Sequence, residues 1–209
     1  MRLVLASNNA KKLAELRAML SGLAVQLVPQ GALGIAEAEE PHLSFIENAL
    51  TKARHAAAAA QGPALADDSG LCVDALVGEP GVISAHYAGE VAAPGLDREA
   101  RRRLQDAANN HLLLDRLAGH ADRTAHFLST LVAVRDARDP QPLVAVGRWP
   151  GRILAAPQGD QGFGYDPLMY IPQLGCTVAQ LGPELKNHHS HRARAMTQML
   201  QLLREVWRL

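Results

Sequence analysis

The first thirty residues constrain the fold of this 209-residue chain more than any other segment. Residues 2–6 are mostly apolar and predict a short buried strand, which leads into a polar turn. Residues 10–20 then carry apolar side chains at helical spacing, Gly22 ends that helix, and residues 25–28 predict a second strand. A strand, a helix and a second strand in this order are typical of the opening of an α/β fold.

The rest of the chain continues the mixture of helices and strands, with no internal repeat or linker. A capping box formed by Ser44 and Glu47 starts a helix that stops at Gly62-Pro63. Further helices are predicted over 96–117 and 190–207, and strands over 64–66, 71–76, 124–135, 143–155 and 169–171, the two long ones forming an antiparallel hairpin. The length fits one domain, 1–209.

Composition narrows the class of partner. Basic and acidic residues balance at 21 each, whereas a protein that grips a nucleic-acid polymer usually carries a basic surplus. The run Arg101–Arg103 is flanked by acids and is expected to be a solvated helix face. No apolar stretch is long enough for a membrane span, so a cytoplasmic protein is expected. Cys72 and Cys176 have no metal-like spacing and are expected to be free, buried thiols.

Two segments offer groups suited to phosphate chemistry. The loop 7–12 joins a strand to a helix, where backbone N–H groups and the helix dipole attract an anion and a lysine adds charge. The alternative is a simple N-cap turn with solvated lysines. Asp67 and Asp68 follow an apolar strand, and adjacent carboxylates at a predicted turn suit Mg²⁺ or a general base. The alternative there is an ordinary aspartate turn.

Three further segments add candidate ligands. The acidic stretch 37–40 precedes a helix that carries polar Glu47, Asn48 and Lys52 among apolar neighbours, so these groups either edge a cleft or are only surface charge. Glycines around Phe163 let an aromatic ring stand clear of the backbone as a stacking platform for a nucleobase. The histidines at 188, 189 and 191 lie among cations, so donors to a ligand fit them better than a zinc site.

Taken in order and at this spacing, these segments resemble the inosine triphosphate pyrophosphatase family, which acts on non-standard purine nucleoside triphosphates. The resemblance covers nearly the whole chain. It is carried by Ser7-Asn8-Asn9-Ala10-Lys11-Lys12, Glu40, Phe45-Ile46-Glu47-Asn48-Ala49 with Lys52, Ala66-Asp67-Asp68-Ser69-Gly70-Leu71, Gly162-Phe163-Gly164-Tyr165-Asp166-Pro167, and Lys186 with Ser190-His191-Arg192. Asn8 departs from the family, which usually has glycine there, and this matters if the position needs a positive φ.

The resemblance implies a mixed α/β fold with an elongated twisted sheet flanked by helices, two lobes and an active-site cleft between them. It also implies a homodimer that needs Mg²⁺. Water attacks the α-phosphorus and pyrophosphate leaves, with Asp68 as general base, Glu40 and Asp68 as metal ligands, and Lys12 and Lys52 neutralising the phosphates. The implied substrate contacts are Ser7, Asn8, Asn9, Ala10, Lys11, Lys12, Ser69, Phe163, Gly164, Tyr165, Asp166, Lys186, His191 and Arg192.

Two other functions compete with this interpretation. A related pyrophosphatase of modified pyrimidine or methylated nucleotides would typically carry an arginine where this chain has Lys11-Lys12. A nucleotide-binding sensor without catalysis would need neither the Asp67–Asp68 pair nor Glu40. The sequence therefore favours the purine-directed hydrolase.

Overall fold

The computed structural model describes all 209 residues, which form seven strands and five α-helices. The helices are α1 (Ala10–Leu20), α2 (Phe45–Ala60), α3 (Arg98–Arg116), α4 (Pro183–His189) and α5 (His191–Val206). The strands are β1 (Arg2–Leu5), β2 (Gln26–Pro29), β3 (Ala64–Val73), β4 (Thr124–Val134), β5 (Leu143–Ile153), β6 (Met169–Ile171) and β7 (Cys176–Thr177).

The strands form one mixed sheet in the order β2-β1-β3-β4-β5-β6-β7. β1 runs parallel to both β2 and β3, so that Val4 pairs with Val28 on one side and Ala64 on the other. β6 runs antiparallel to β5 and β7. This confirms the mixed α/β fold. The two long strands predicted from the sequence, β4 and β5, are neighbours in the sheet.

The predicted starts of two helices are confirmed by their caps. The Ser44 hydroxyl accepts from the Glu47 N–H (3.4 Å) and donates to the Glu47 carboxylate (2.5 Å) at the start of α2. The Ser190 hydroxyl accepts from the Ala193 N–H (3.1 Å) at the start of α5. The two contacts from backbone N–H groups each satisfy a donor that the first turn of a helix leaves free.

The predicted turn at 67–70 is wrong, because β3 is one continuous strand through the whole segment. β3 lies between β1 and β4, and its flanking residues Leu65 and Leu71 are fully buried. Sheet pairing and apolar burial on both sides of the four residues outweigh the local turn preference of Asp and Gly. As a result, Asp67 and Asp68 point to opposite faces of the sheet.

The chain divides into two compact units. The first comprises residues 1–69, 129–148 and 187–209, and the second comprises 70–128 and 149–186. In the first unit, Leu3 and Leu5 pack in one apolar cluster with α1 and α5, whereas Val4 and Ala6 pack in another with α2. The core of the second unit includes the buried Trp149 and side chains from α3 and β6.

Two other expectations concern membrane-spanning helices and the two cysteine thiols. No helix is both long enough and apolar enough to cross a membrane. Cys72 and Cys176 are free, as expected, but both are partly exposed rather than buried.

Candidate active site

The alternation of side chains along β3 separates the two adjacent aspartates into different networks of the first unit. Asp68 faces α2, together with Lys52 of that helix. Asp67 faces α1 and α5, together with Lys12 and Arg192. Both carboxylates are buried, so each depends on these partners for its charge.

The Asp68 network joins three ionisable side chains. Lys52 Nζ lies 2.8 Å from Asp68 Oδ1 and 2.8 Å from Glu40 Oε2, so one ammonium bridges two carboxylates. Lys52 is buried, whereas the Glu40 side chain is 45% exposed. The second oxygen of Asp68, Oδ2, is buried and has no hydrogen-bond partner. A buried carboxylate oxygen without a donor is costly, and it is available to a cation or to a water molecule.

The three groups of this network shift one another's pKa. Burial raises the pKa of Asp68 to about 6, although Lys52 pulls it in the opposite direction. Burial acts on Glu40 in the same way, but the charge and hydrogen bond of Lys52 lead to a lowered pKa there. For Lys52 the two carboxylates outweigh burial, so its pKa is raised and it stays an ammonium. Asp68 is therefore a carboxylate with a pKa close to neutrality.

The carboxylates of this network supply only some of the ligands that a hard divalent cation needs. No group of three or more His, Cys, Asp or Glu side chains is placed to hold a metal ion. Mg²⁺ commonly uses one or two carboxylates and completes its shell with water and substrate phosphate oxygens. Asp68 Oδ2 and Glu40 match that donor set, with the unpartnered oxygen as the strongest sign.

The Asp67 network is saturated. Oδ2 of Asp67 accepts from Arg192 Nε (3.0 Å) and contacts Lys12 Nζ (3.0 Å), while Oδ1 accepts from the Ser129 hydroxyl (2.8 Å). Arg192 also pairs with Glu15 and donates through Nη2 to Ser69 Oγ (3.2 Å). Burial alone would raise the pKa of Asp67, but the two cations lower it strongly. Asp67 is thus a buried counter-ion.

The pKa values of the two cations that contact Asp67 are shifted too. Burial lowers the pKa of Lys12, an effect that the Asp67 charge offsets only in part. Burial acts on Arg192 in the same sense, but Asp67 and Glu15 raise its pKa overall. Arg192 donates Nε to Asp67, Nη1 to Glu15 and Nη2 to Ser69, so three of its five donors are engaged inside the first unit.

The loop 7–12 forms the N-cap of α1. Asn9 Oδ1 accepts from the N–H groups of Lys11 (3.0 Å) and Lys12 (3.2 Å), and Ser7 Oγ accepts from the Asn9 N–H (3.2 Å). Three N–H groups that the sequence offered to a phosphate therefore have partners within the loop. Ala10 is the first residue of α1.

Asn8 is not strained in the position where the family usually has glycine. It is absent from the residues with positive φ. Its side chain instead bridges one backbone group and one side chain: Oδ1 accepts from the Gly31 N–H (2.9 Å) and Nδ2 donates to Glu37 Oε1 (2.9 Å). Asn8 thus fastens the loop 7–12 to the acidic stretch that leads to Glu40.

The aromatic loop of the second unit holds Phe163 beside a buried ion pair. Lys186 Nζ lies 2.7 Å from Asp166 Oδ2 and 4.5 Å from the centroid of the Phe163 ring. Asp166 Oδ2 also accepts from the Phe163 N–H (2.9 Å). Gly162 has a φ of 79°, and a Cβ there would collide with Asp166, so glycine is required at this turn.

The remaining predicted site residues are Tyr165, Gly164 and His191. Tyr165 is buried in the core of the second unit and its hydroxyl donates to Ser84 O (2.9 Å), while burial raises its pKa. Its neighbour Gly164 is held by hydrogen bonds with α3. His191 is buried at the first turn of α5, next to Arg192 in the first unit.

Sequence patterns missed several participants. Glu15 and Ser129 belong to the Asp67 network, and no short-range spacing connects them to Asp67. Asp106 Oδ2 accepts from the Gly164 N–H (2.8 Å) and Asn110 Nδ2 donates to Gly164 O (3.0 Å). Their spacing of four residues places them on one face of α3, which is the signal that could have found them.

The expectation of a fully solvated face at Arg101–Arg103 is also corrected. Arg101 and Arg103 are exposed, but the Arg102 guanidinium lies over the Phe163 ring, with Cζ 5.5 Å from its centroid.

The fold and these networks define the protein as a mixed α/β protein with a buried acid–lysine cluster in one unit and a cation-flanked aromatic loop in the other. The sequence profile of the Ham1 family matches residues 3–202. The chain belongs to the Ham1 family, which confirms the resemblance seen in the sequence.

Individual relatives agree with this assignment. A Methylibium petroleiphilum protein named dITP/XTP pyrophosphatase is 66% identical over 207 residues, covering 99% of both chains. A Leptothrix cholodnii protein of the same name is 64% identical over 211 residues, covering both chains completely. Among solved structures, a HAM1 protein from Coxiella burnetii is 40% identical with a TM-score of 0.88, covering 99% of this chain and all of that one.

Proposed function

We propose that this chain hydrolyses non-standard purine nucleoside triphosphates, namely ITP, dITP and XTP, to the monophosphate and pyrophosphate, and thereby cleanses the nucleotide pool. Membership of the Ham1 family and the names of its relatives support this activity. The structural observation that carries it is Asp68, a buried carboxylate with one oxygen on Lys52 and the other without a partner. A hydrolase needs such a group to take a proton from water.

In the proposed mechanism Asp68 is the general base. Its pKa of about 6 leaves it ionised at neutral pH while keeping its basicity higher than that of an ordinary aspartate. Water loses a proton to Asp68 as its oxygen bonds to the α-phosphorus, and the bond from that phosphorus to the bridging oxygen breaks. Pyrophosphate leaves with the bond's electrons, so the reaction consumes one water molecule for each triphosphate.

The charges around Asp68 support the phosphate-handling part of the proposal. Glu40 and Asp68 would hold Mg²⁺, which supplies positive charge to neutralise the phosphate oxygens. Lys12, which is partly buried, and Lys52, which is buried, lie on the two faces of β3 and add positive charge for the triphosphate. The loop 7–12 and Ser69 are assigned to the phosphates and sugar.

The second set of residues is assigned to the purine. Phe163 stacks on it, supported by the loop 163–166, and Lys186 and His191 donate to its polar edge. Arg192 retains two donors beyond its three internal bonds, and these are assigned to the substrate.

Two properties of the whole protein remain part of the proposal. We assign it a homodimeric state, in line with the family resemblance, and a cytoplasmic location. Light scattering during size-exclusion chromatography tests the first, with a mass of twice 22.4 kDa expected.

The proposed reaction is tested by product identity. ITP is incubated with the protein and Mg²⁺ in ¹⁸O-labelled water, and the products are separated by chromatography and weighed by mass spectrometry. Inosine monophosphate carrying one ¹⁸O, together with unlabelled pyrophosphate, is expected. Release of orthophosphate, or label in the pyrophosphate, would contradict attack at the α-phosphorus. A sensor without catalysis would give no product at all.

A further inference from the structure

Arg102 differs from the other arginines of its run. Its side chain is 28% exposed, whereas that of Arg103 is 78% exposed, although both contact the Glu99 carboxylate. Arg102 Nη2 donates to Glu99 Oε1 (3.2 Å), while its Nε is buried without a hydrogen-bond partner, 4.0 Å from Asp106 Oδ2. An arginine in water would satisfy every donor, so this side chain is kept in place by packing as well as by hydrogen bonds.

Contact with Phe163 accounts for that packing. The guanidinium carbon of Arg102 lies 5.5 Å from the Phe163 ring centroid, within the range of a cation–π interaction. A planar guanidinium over an aromatic face keeps its N–H groups at the rim of the ring. Arg102 therefore holds donors beside the ring to which the proposed function assigns the purine.

Two residues further along the same face of α3 fix the position of Arg102 relative to the Phe163 loop. Arg102, Asp106 and Asn110 follow one another at intervals of four on one face of α3. Asp106 accepts from the Gly164 N–H at 2.8 Å and Asn110 donates to the Gly164 carbonyl at 3.0 Å, so the two side chains hold both backbone groups of Gly164. Because Gly164 follows Phe163 directly, this grip sets the register between Arg102 and the Phe163 ring.

Lys186 is less available than Arg102 to donate a hydrogen bond to a ligand at this ring. Its ammonium is near the same ring, at 4.5 Å, but it is already bonded to Asp166 at 2.7 Å in a buried pair. Arg102 hydrogen-bonds to Glu99 at 3.2 Å, where the Glu99 side chain is 49% exposed, and lies 4.0 Å from Asp106, so both of its ion pairs are longer than that of Lys186 and the more exposed one is weak. Of the two cations at the ring, Arg102 is the freer to turn its donors towards a ligand.

We propose that Arg102 is a specificity-determining residue that donates a hydrogen bond to an oxo group of the purine stacked on Phe163. This rests on the proposed function and deepens it, because hypoxanthine and xanthine carry the oxo acceptor that Arg102 requires. Adenine presents an amino group at the same edge, which would face the guanidinium donor to donor and be rejected.

The test compares Arg102→Met with the matched control Arg103→Met, which loses an arginine on the same helix with the same glutamate partner. The substrates are ITP, XTP and purine riboside 5′-triphosphate, which has no oxo group on its ring. We expect Arg102→Met to raise KM for ITP and XTP roughly 10- to 100-fold, the range for a lost hydrogen bond to a charged group, with kcat little changed. KM or Ki for purine riboside triphosphate should stay the same, and Arg103→Met should behave as wild type.

Several results would overturn the inference. If Arg102→Met weakened the binding of all three nucleotides equally, Arg102 would only support Phe163. An unchanged or lower KM in Arg102→Met would remove Arg102 from the purine contacts. Arg102→Gln, which keeps a neutral donor, gives a second variant and should lose less than Arg102→Met. Failure of the proposed function looks different, because the wild-type protein itself would then release no pyrophosphate from ITP.

Discussion

In our proposal, Asp68 is the residue on which the chemistry depends. It is buried, it is bonded to Lys52 through one oxygen only, and its pKa is raised by burial to about 6. Asp67, its neighbour in sequence, has the opposite character, because two cations and a hydroxyl satisfy it and lower its pKa. Adjacent aspartates can differ this much because a strand sends them to opposite faces of the sheet.

Replacing Asp68 with Asn should leave the fold intact and remove most turnover. The amide keeps the size of the side chain but cannot take a proton from water, and general acid–base assistance is worth ~10²–10⁴-fold in rate. Pyrophosphate release from ITP at saturating Mg²⁺ measures the effect. Glu39→Gln, an exposed acid next to Glu40, is the matched control and should keep wild-type turnover. A near-normal rate in Asp68→Asn would show that the role assigned to Asp68 is wrong.

At the scale of elements, the sequence predicts helices better than the strand that carries the site. The sequence predicts helix α1 with its observed bounds, and the starts of α2 and α5 follow from Ser44 and Ser190, since these depend on local spacing and capping. β3 depends on partners far away in sequence, so its passage through Asp67–Gly70 could not be read from turn preferences.

The same reason limits what the sequence tells about the site. The identities of Asp68, Glu40 and Lys52 could be proposed from the sequence, but not that Lys52 bridges the two acids. Likewise, the salt bridge from Arg192 to Asp67 joins residues 125 positions apart. Contacts between distant elements depend on the sheet order, which neither spacing nor composition reveals.

The element-scale role of Asp67 is to hold α1 and α5 against β3. Asp67→Asn removes the negative charge that Lys12 and Arg192 share, and breaking a buried ion pair from one side costs about 3–5 kcal/mol. Urea unfolding at pH 7 should show a loss of this size. Asp115→Asn, with a side chain that is 61% exposed, should be near neutral.

The pH dependence of that difference follows from the lowered pKa of Asp67. A carboxyl whose folded pKa lies below its unfolded value stabilises the fold above the unfolded pKa, and this contribution is lost as pH falls through the folded pKa. The gap in unfolding free energy between wild type and Asp67→Asn should therefore stay constant above about pH 5 and shrink at lower pH. A gap of less than about 1 kcal/mol at pH 7 would contradict the buried counter-ion role.

The aromatic loop should contribute to binding rather than to chemistry. Phe163→Ala removes the proposed stacking platform, and a lost stack on a nucleobase costs roughly 1–3 kcal/mol. The effect should appear as a higher KM for ITP with kcat largely retained, because the stack is the same in the ground and transition states. Steady-state kinetics on the variant check this, and an unchanged KM would remove Phe163 from the purine contacts.

At the scale of the whole molecule, the protein places different chemistry in each of its two compact units. The first unit holds the acid–lysine networks of β3, and the second holds the Phe163 loop with Lys186 and Arg102. The net charge is zero, so the chain's cations act locally, at a few buried or ring-facing positions, rather than as a surface field. In our proposal the triphosphate binds at the acid–lysine networks, and the purine binds at the Phe163 loop.

The proposed purine contacts should select among the purine bases. Hypoxanthine and xanthine present an oxo acceptor and an N1–H donor, whereas adenine presents an amino donor and a bare N1. Buried donors built for the oxo group are left unpaired by adenine, and such mismatches reject a substrate by ~10⁴–10⁵-fold. Guanine shares the oxo group and N1–H, so its exclusion depends on the 2-amino group and should be smaller.

The most direct test is kcat/KM for ITP, XTP, GTP and ATP, measured with Mg²⁺ under one set of conditions. We predict that ITP and XTP are both good substrates, that GTP is clearly poorer, and that ATP is poorer than ITP by about 10⁴-fold. Hydrolysis of ATP within about tenfold of ITP would contradict it, because a difference that small is within reach of a pocket that reads only size and shape.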